Sequence, residues 1–329
     1  AEVTASGLLK MDFLGLKNLT VIDNAMRLIQ RNHGVTVDWA TIPRNDPKTY
    51  EFIRSAQTTG IFQLESSGMR DVVRKLGPTC FADLAAIIAL FRPGPMNNID
   101  LFVDNKKHPE RVSYPHPMLK EILSETYGVI VYQEQVMQIA QVMGGFTMGQ
   151  ADKLRKAMGK KIKEVMDAMQ KPFLEGAKAR GVTEKEALAV WELMVKFAEY
   201  GFNKAHTVAY AEVAFRTAWL KAHYPVEFMA ALMTNDMGDT DKMAVLFAEA
   251  RDMGIKVLPP DINQSIEQFN VAEGNIRFGL GGIKNVGVQA VLEAIKEREA
   301  HGPYRSLLDF CARTLDKGFN SRMIECLIK

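Results

Sequence analysis

The chain has 329 residues, of which 47% are hydrophobic and 24% charged, and its formal net charge at pH 7 is +2. This length allows two or three compact units, and the small net charge excludes a global basic field, so any nucleic-acid binding must come from local basic clusters. Three widely spaced cysteines without a Cys-x-x-Cys pair argue against a zinc site or a disulfide framework and are typical of reduced cytosolic thiols.

Helices dominate the predicted secondary structure before residue 255. Apolar residues at helical spacing begin at Val21 and end at Gly34, and Asp46-Pro47 begins a second helix with proline in its first turn. Residues 83–91 are almost all apolar, which predicts a helix buried on every side. The other elements predicted in this part are a loop at 97–118, a strand at 127–132, and helices at 69–76, 133–143, 149–158, 163–180, 183–200, 205–222, 225–236 and 239–253.

The composition changes near residue 255, beyond which short strands are predicted. Apolar residues on both sides of Glu273-Gly274-Asn275 are typical of a β-hairpin, and helices follow near 286–299, near 304–312 and from 320. The expected fold class is therefore mainly α with small β additions. No apolar run is long enough to span a membrane. Because the chain opens with Ala1 and stops at Lys329 inside a predicted helix, we expect a fragment of a longer polypeptide.

Residues 151–161 concentrate basic charge. Arg155 and Lys156 are adjacent on a predicted helix, a glycine ends this helix, and Lys160 and Lys161 follow. A single acid dilutes the charge, whereas a surface helix usually interleaves acids with bases. The cluster suits a polyanion such as a chain of phosphates, and the alternative is a solvated basic face.

Five polar residues elsewhere have both a functional and a structural interpretation. Asp12 lies in an apolar run two residues after Lys10, so it is either a metal ligand or half of a structural ion pair. Arg92 begins a rigid proline corner that presents it inward or is simply a turn. Lys204 and His206 lie near a helix start, where free N–H groups favour phosphate; the alternative is an N-capping region with a satisfied histidine.

The glycine-rich segment 279–287 departs from the dinucleotide and P-loop patterns. Lys284 stands at the third glycine position, and no Gly-Lys-Ser/Thr follows. As a glycine hairpin between two helices, the segment would expose backbone N–H groups of residues such as Gly282 and Gly287 to one phosphate of a nucleic acid, with Lys284 adding charge. A plain turn is the alternative.

Seven segments, in order, resemble the alpha subunits of bacterial DNA polymerase III, the C-family replicative polymerases. The resemblance covers essentially the whole chain and outweighs the structural interpretations above. The matching segments are Lys10-Met11-Asp12-Phe13-Leu14-Gly15-Leu16, Gly60-Ile61-Phe62-Gln63-Leu64-Glu65-Ser66, Ala89-Leu90-Phe91-Arg92-Pro93-Gly94-Pro95, Val131-Tyr132-Gln133-Glu134-Gln135, Leu154-Arg155-Lys156-Ala157-Met158-Gly159-Lys160-Lys161, Gly201-Phe202-Asn203-Lys204-Ala205-His206 and Ile276-Arg277-Phe278-Gly279-Leu280.

The resemblance implies roles for individual residues. Asp12 matches the third of three palm carboxylates that bind catalytic Mg²⁺, and several cations match residues that face the triphosphate of the incoming dNTP. Asn285 stands where the family often has glycine, which puts the tightness of that hairpin in question. The residues expected in nucleotide binding are Lys10, Arg92, Arg155, Lys156, Asn203, Lys204 and His206. Those expected in DNA binding, from the basic cluster and the glycine-rich segment, are Lys160, Lys161, Gly282, Lys284 and Gly287.

The resemblance also implies an organisation: the end of a palm at 1–20, a helical fingers domain at 21–255, and a mixed α/β segment with the hairpin and the start of a helix-hairpin-helix region at 256–329. We expect part of a cytoplasmic, replicative DNA-directed DNA polymerase that positions dNTP and contacts primer–template DNA during two-metal nucleotidyl transfer. The intact parent would also contact the sliding clamp and other replisome subunits, and the fragment alone would be inactive. The alternative is a non-catalytic helical module for nucleic-acid binding or replisome assembly.

Overall fold

The computed structural model describes residues 6–8, 15–159, 162–198 and 201–329, so the predictions for Lys10, Asp12, Lys160 and Lys161 lie outside the described residues.

The chain divides into a central unit, residues 40–219, and a terminal unit, which combines residues 1–39 with 220–329. The helices are α1 (Lys17–His33), α2 (Pro47–Arg54), α3 (Ser67–Leu76), α4 (Phe81–Leu90), α5 (Ile99–Lys107), α6 (Lys120–Leu123), α7 (Gln133–Val142), α8 (Met148–Gly159), α9 (Lys163–Ala179), α10 (Glu184–Ala198), α11 (Lys204–His223), α12 (Pro225–Asp236), α13 (Thr240–Asp252), α14 (Val288–His301), α15 (Leu307–Thr314) and α16 (Ser321–Ile328).

Local signals explain where the first helices of the central unit begin. The carboxylate of Asp46 accepts a hydrogen bond of 2.8 Å from the backbone N–H of Thr49, and Pro47 stands in the first turn of α2. Ser66 caps α3 through the N–H of Met69. Helices α7 to α10 bury apolar side chains in one hydrophobic cluster, and α4 is buried along almost its whole length, as the sequence predicts.

Two sequence predictions in the central unit are wrong. The predicted loop contains α5, because Ile99, Phe102 and Val103 recur at helical spacing and bury one apolar face. The predicted strand at 127–132 is a turn instead: Tyr127 adopts a left-handed φ of 51°. The backbone N–H groups of Val131 and Tyr132, which a strand would pair with a neighbouring strand, donate to the Gln135 side chain. One isolated β-bridge remains, between Tyr132 and Phe202.

In the terminal unit, α1 packs against α12 and a small sheet adjoins α12. Strand β3 (Asn275–Arg277) is central: β1 (Val257–Leu258) pairs with it in parallel and β2 (Asn270–Ala272) antiparallel. Glu273 and Gly274 both have positive φ, 54° and 72°, which is the geometry of a two-residue hairpin turn. The predicted hairpin is confirmed, as is the mainly α fold class with small β additions. None of the helices within the described ranges is long and apolar enough to cross a membrane.

Candidate functional site

A group of cations from distant parts of the sequence lies on the central unit. We call Arg92, Arg155, Lys156, Asn203, Lys204 and His206 the cationic surface, because five of the six are basic. These residues come from the end of α4, from α8 and from the start of α11, which are separated by up to about a hundred residues of sequence. The segment 201–204 and the first turn of α7 link them, as the following contacts show.

The first turn of α7 fastens the segment that precedes α11. The backbone N–H of Gln133 donates to the carbonyl oxygen of Phe202 at 2.9 Å, and the Gln133 side-chain Nε2 donates to the carbonyl of Gly201 at 2.9 Å. The next residue, Glu134, uses both carboxylate oxygens: it accepts from Asn203 Nδ2 at 3.0 Å and from the Lys204 backbone N–H at 2.9 Å. Three hydrogen bonds to the backbone and one from the Asn203 side chain therefore fix the segment from which α11 begins.

Asn203 is the N-cap of α11. Its Oδ1 accepts a hydrogen bond of 2.8 Å from the N–H of His206, which satisfies one of the free donors of the first turn. The exposed His206 ring lies 5.1 Å from the Phe202 ring and 4.2 Å from the Tyr210 ring, measured between centroids. The N-capping interpretation of this region is thus realised by Asn203, while His206 presents an imidazole between two aromatic rings.

Lys204 is paired with a carboxylate from the turn before α7. Its Nζ lies 2.7 and 2.8 Å from the two carboxylate oxygens of Glu125, and 5.5 Å from the centroid of the Tyr132 ring. Both side chains of the ion pair are 39% exposed. Burial, together with the charges of Glu125 and Glu134, raises the pKa of Tyr132 above its ordinary range, so this phenol stays neutral beneath the ammonium.

Arg155 and Lys156 share one acid on α8. Nη2 of Arg155 lies 2.8 Å from one oxygen of Asp152, and Nζ of Lys156 lies 2.7 Å from the other. Hydrogen bonds from Lys156, which has the larger effect, and from Arg155 hold the pKa of Asp152 below its usual value. Nη1 of Arg155 also donates to Gln133 Oε1 at 3.4 Å, a long contact that joins α8 to the start of α7.

Arg92 faces the same segment. Its guanidinium carbon lies 3.8 Å from the centroid of the Phe202 ring, a cation–π distance, and its Nε donates to the carbonyl of Ala89 at 3.0 Å. Burial lowers the pKa of Arg92, although a guanidinium remains charged at neutral pH. The proline corner after α4 therefore places this cation on Phe202, next to the cap of α11.

The glycine-rich segment belongs to the terminal unit and differs from the predicted hairpin between two helices. The element before it is β3, and its first N–H groups are already used: Gly281 donates to the Glu267 carbonyl at 2.9 Å and Gly282 to that of Gly279 at 3.0 Å. A Cβ on Gly281 would lie 2.9 Å from the same Glu267 oxygen. These glycines allow close backbone packing, and their N–H groups are used within the protein.

The later part of this segment keeps the predicted exposure. Lys284 is exposed, Gly287 directly precedes α14, and Asn285 adopts a left-handed φ of 66°. Asparagine tolerates this conformation better than most side chains, so the turn forms without the glycine that the family often has there. Lys284 and Gly287 therefore keep the exposure that a contact with phosphate requires, whereas the N–H of Gly282 is already hydrogen-bonded.

Within the part of the chain that the structure describes, no three His, Cys, Asp or Glu side chains come together in a way that could hold a metal ion. Several residues of the site were given no role by sequence reasoning, among them Glu125, Gln133 and Glu134. Gln133 and Glu134 stand in one of the seven segments that match the polymerase family, at the start of a predicted helix, so their importance could have been predicted. Their partners at 201–204 were not detectable, because about seventy residues separate them.

Comparison with known proteins gives matches over most of the chain. Residues 18–181 match the family described as bacterial DNA polymerase III alpha subunit finger domain, and residues 254–329 match the helix-hairpin-helix motif. DNA polymerase III subunit alpha of Caulobacter vibrioides (strain NA1000 / CB15N) is 49% identical over 327 residues, which cover 99% of this chain and 28% of that protein. The subunits of Escherichia coli (strain K12) and Thermus aquaticus are 47% and 48% identical, over 100% and 99% of this chain. The chain spans 27% to 29% of the length of these three relatives.

Proposed function

This chain belongs to the family of bacterial DNA polymerase III alpha subunits, and on that premise we propose that it forms the nucleotide-positioning part of a cytoplasmic, replicative DNA-directed DNA polymerase. The cationic surface would bind the triphosphate of the incoming dNTP. The observation that carries this proposal is the hydrogen-bonded network through Gln133 and Glu134, which brings cations from α8 and α11 to one rigid mount.

The chemistry of nucleotidyl transfer explains why such a mount is needed. When the primer 3′-hydroxyl attacks the α-phosphate, negative charge builds on the leaving pyrophosphate, and fixed cations stabilise this charge without reorganising. The planar guanidinium of Arg155 suits a two-point contact with phosphate oxygens, whereas Lys156 and Lys204 act as point charges. His206 and Arg92, which meet at Phe202, would face the rest of the nucleotide.

Mg²⁺ is the proposed cofactor, and Asp12 its proposed ligand in this chain, with Lys10 beside the triphosphate. Bound Mg²⁺ supplies charge stabilisation at the attacking and leaving oxygens. A single carboxylate does not fix two ions, and no metal cluster occurs among the described residues. We therefore propose that the remaining ligands come from the part of the parent polymerase outside this chain, and that the chain alone extends no primer.

Primer–template DNA is the proposed macromolecular partner. Lys160, Lys161 and Lys284 would contact backbone phosphates, together with the backbone at Gly287, and such contacts fix position without reading sequence. We retain the expected division into the end of the palm at 1–20, the fingers at 21–255 and the start of a helix-hairpin-helix region at 256–329. In the intact parent the sliding clamp and other replisome subunits would be further partners.

The test is the substitution Arg155→Ala in the full-length polymerase, with Lys153→Ala as the matched control. Lys153 is an exposed cation on the same helix. Loss of one charged contact to phosphate costs about 1.5–3 kcal/mol, so kcat/KM for dNTP should fall about ten- to a hundredfold in the Arg155 variant, with little change in the control. Primer–template affinity should stay near that of the parent. Equal losses of DNA affinity and catalytic efficiency would favour a DNA-binding role, and an unchanged efficiency would refute the proposal.

A further inference from the structure

Two carboxylates act on Lys204 in different ways. Glu134 holds the backbone, with its Oε2 2.9 Å from the Lys204 N–H, whereas Glu125 holds the side chain, with its two oxygens 2.7 and 2.8 Å from Nζ. The first contact belongs to the start of a helix, where a carboxylate is stabilised by the free N–H groups. The second is an ion pair between two partly exposed side chains.

We infer that Glu125 is a positioning residue that competes with the nucleotide for the ammonium of Lys204. This inference rests on the proposed function, in which Lys204 binds a phosphate of the triphosphate. A lysine ammonium has three donors, and both oxygens of Glu125 lie within hydrogen-bond distance of it. A phosphate that binds Lys204 therefore has to displace Glu125 or share the ammonium with it.

The geometry makes this exchange easy. At 39% exposure of both side chains, water screens the Glu125–Lys204 pair, and such pairs contribute little to stability. A triphosphate carries several negative charges and attracts the ammonium more strongly than one carboxylate does. Because Glu134 keeps the Lys204 backbone in place, the exchange involves only the side chain. Lys204 is thus held near its binding position before a nucleotide arrives, and Glu125 weakens the final complex.

Removing the competitor should tighten the complex. In the full-length polymerase, Glu125→Gln should lower the KM for dNTP about two- to fivefold, which is the range expected from losing one exposed ion pair. Pyrophosphate, which carries the same phosphates, should inhibit the variant at correspondingly lower concentration. These two constants are measured by steady-state primer extension with varied dNTP and with added inorganic pyrophosphate.

Glu121→Gln is the matched control, because Glu121 is exposed, lies one helical turn earlier, and loses the same charge. The decisive comparison is with a Lys204→Met background. If Glu125 acts through Lys204, the effect of Glu125→Gln disappears there, whereas a structural or general electrostatic effect would persist.

An unchanged or raised KM in Glu125→Gln would overturn the inference, as would an equal decrease in the Glu121 control or a decrease that survives in Lys204→Met. The proposed function fails in a different way. If Lys204→Met by itself leaves the KM for dNTP and the inhibition by pyrophosphate unchanged, Lys204 does not bind phosphate, and the role of Glu125 falls with it.

Discussion

A buried ion pair joins α5 to α4, the helix that ends just before Arg92. The side chain of Asp83 on α4 is fully buried, and its Oδ2 accepts a hydrogen bond of 2.6 Å from Lys106 on α5. The Thr79 N–H and the Tyr127 hydroxyl also donate to this carboxylate, each at 2.9 Å. Burial by itself would raise the pKa of Asp83, but these donors together, Lys106 first, lower it. All oxygens of the carboxylate are therefore satisfied.

We predict that Asp83→Asn lowers the free energy of unfolding of the chain at pH 7 by roughly 3–5 kcal/mol, because it leaves the Lys106 ammonium largely buried without its counter-charge. Adding Lys106→Met should restore part of the loss. Urea denaturation followed by circular dichroism measures both. Asp71→Asn, which removes an exposed acid paired with Arg74, should cost less than about 1 kcal/mol. If Asp83→Asn lowers the free energy of unfolding by as little as Asp71→Asn does, the buried Asp83–Lys106 pair does not stabilise the fold as proposed.

The sign of the pH dependence follows from the lowered pKa of Asp83. A carboxyl with a lower pKa in the folded state stabilises the fold above its unfolded pKa of about 3.9, and this stability is lost as the pH falls through the folded value. The unfolding free energies of the parent and of Asp83→Asn should therefore converge below about pH 4. This pair was not predictable from the sequence, because Lys106 stands in a segment that was predicted to be a loop.

At the scale of elements, helix bounds were the most predictable feature. Proline or a capping residue at the start and glycine at the end are local signals, and α1, α2 and α12 begin or end where these signals stand. The strand predicted at 127–132 failed because an apolar run of six residues does not distinguish a strand from a buried turn. The packing of one element on another was harder to predict, because periodicity shows which face of a helix is apolar but not which element covers that face.

Close packing between the turn after α7 and helix α9 illustrates this limit. A Cβ on Gly176 would lie 1.8 Å from the carbonyl oxygen of Gly144, and one on Gly144 would meet the Phe173 ring. Gly176 stands inside a helix, where local propensity alone would favour alanine. The residue is therefore explained by a neighbour more than thirty positions away.

We predict that Gly176→Ala destabilises the chain by about 2–3 kcal/mol, because the added methyl group has to push two backbones apart. The matched control is Gly149→Ala, also in a helix but with nothing within 4 Å of the new Cβ; it should be neutral or stabilise by up to about 1 kcal/mol. Thermal denaturation of the two variants gives the comparison. Similar shifts of Tm in the same direction would contradict the packing account.

At the scale of the whole molecule, the family and the mainly α architecture were predictable from sequence. Which segments of the chain form the terminal unit was not predictable. That unit joins α1 to residues 220–329 across about 180 intervening residues, and no local pattern indicates such a pairing. For the cationic surface, the sequence indicated the cations themselves. The carboxylates that hold them, Glu125 and Asp152 among others, became assignable only once the distances were known.

We propose that the cationic surface binds the triphosphate of the incoming nucleotide, with Lys156 and Lys204 among its cations, and this proposal has a direct test. An acyl-phosphate derivative of a nucleoside triphosphate tests it, because its terminal phosphate transfers an acyl group to any lysine amine within reach, and mass spectrometry of the digested polymerase identifies that lysine. With full-length polymerase on primer–template DNA, we predict acylation of Lys156 and Lys204 that excess dNTP suppresses, and none at Lys153. Acylation that dNTP suppresses at Lys153 or Lys284 instead, or labelling of Lys156 and Lys204 that dNTP leaves unchanged, would contradict the account.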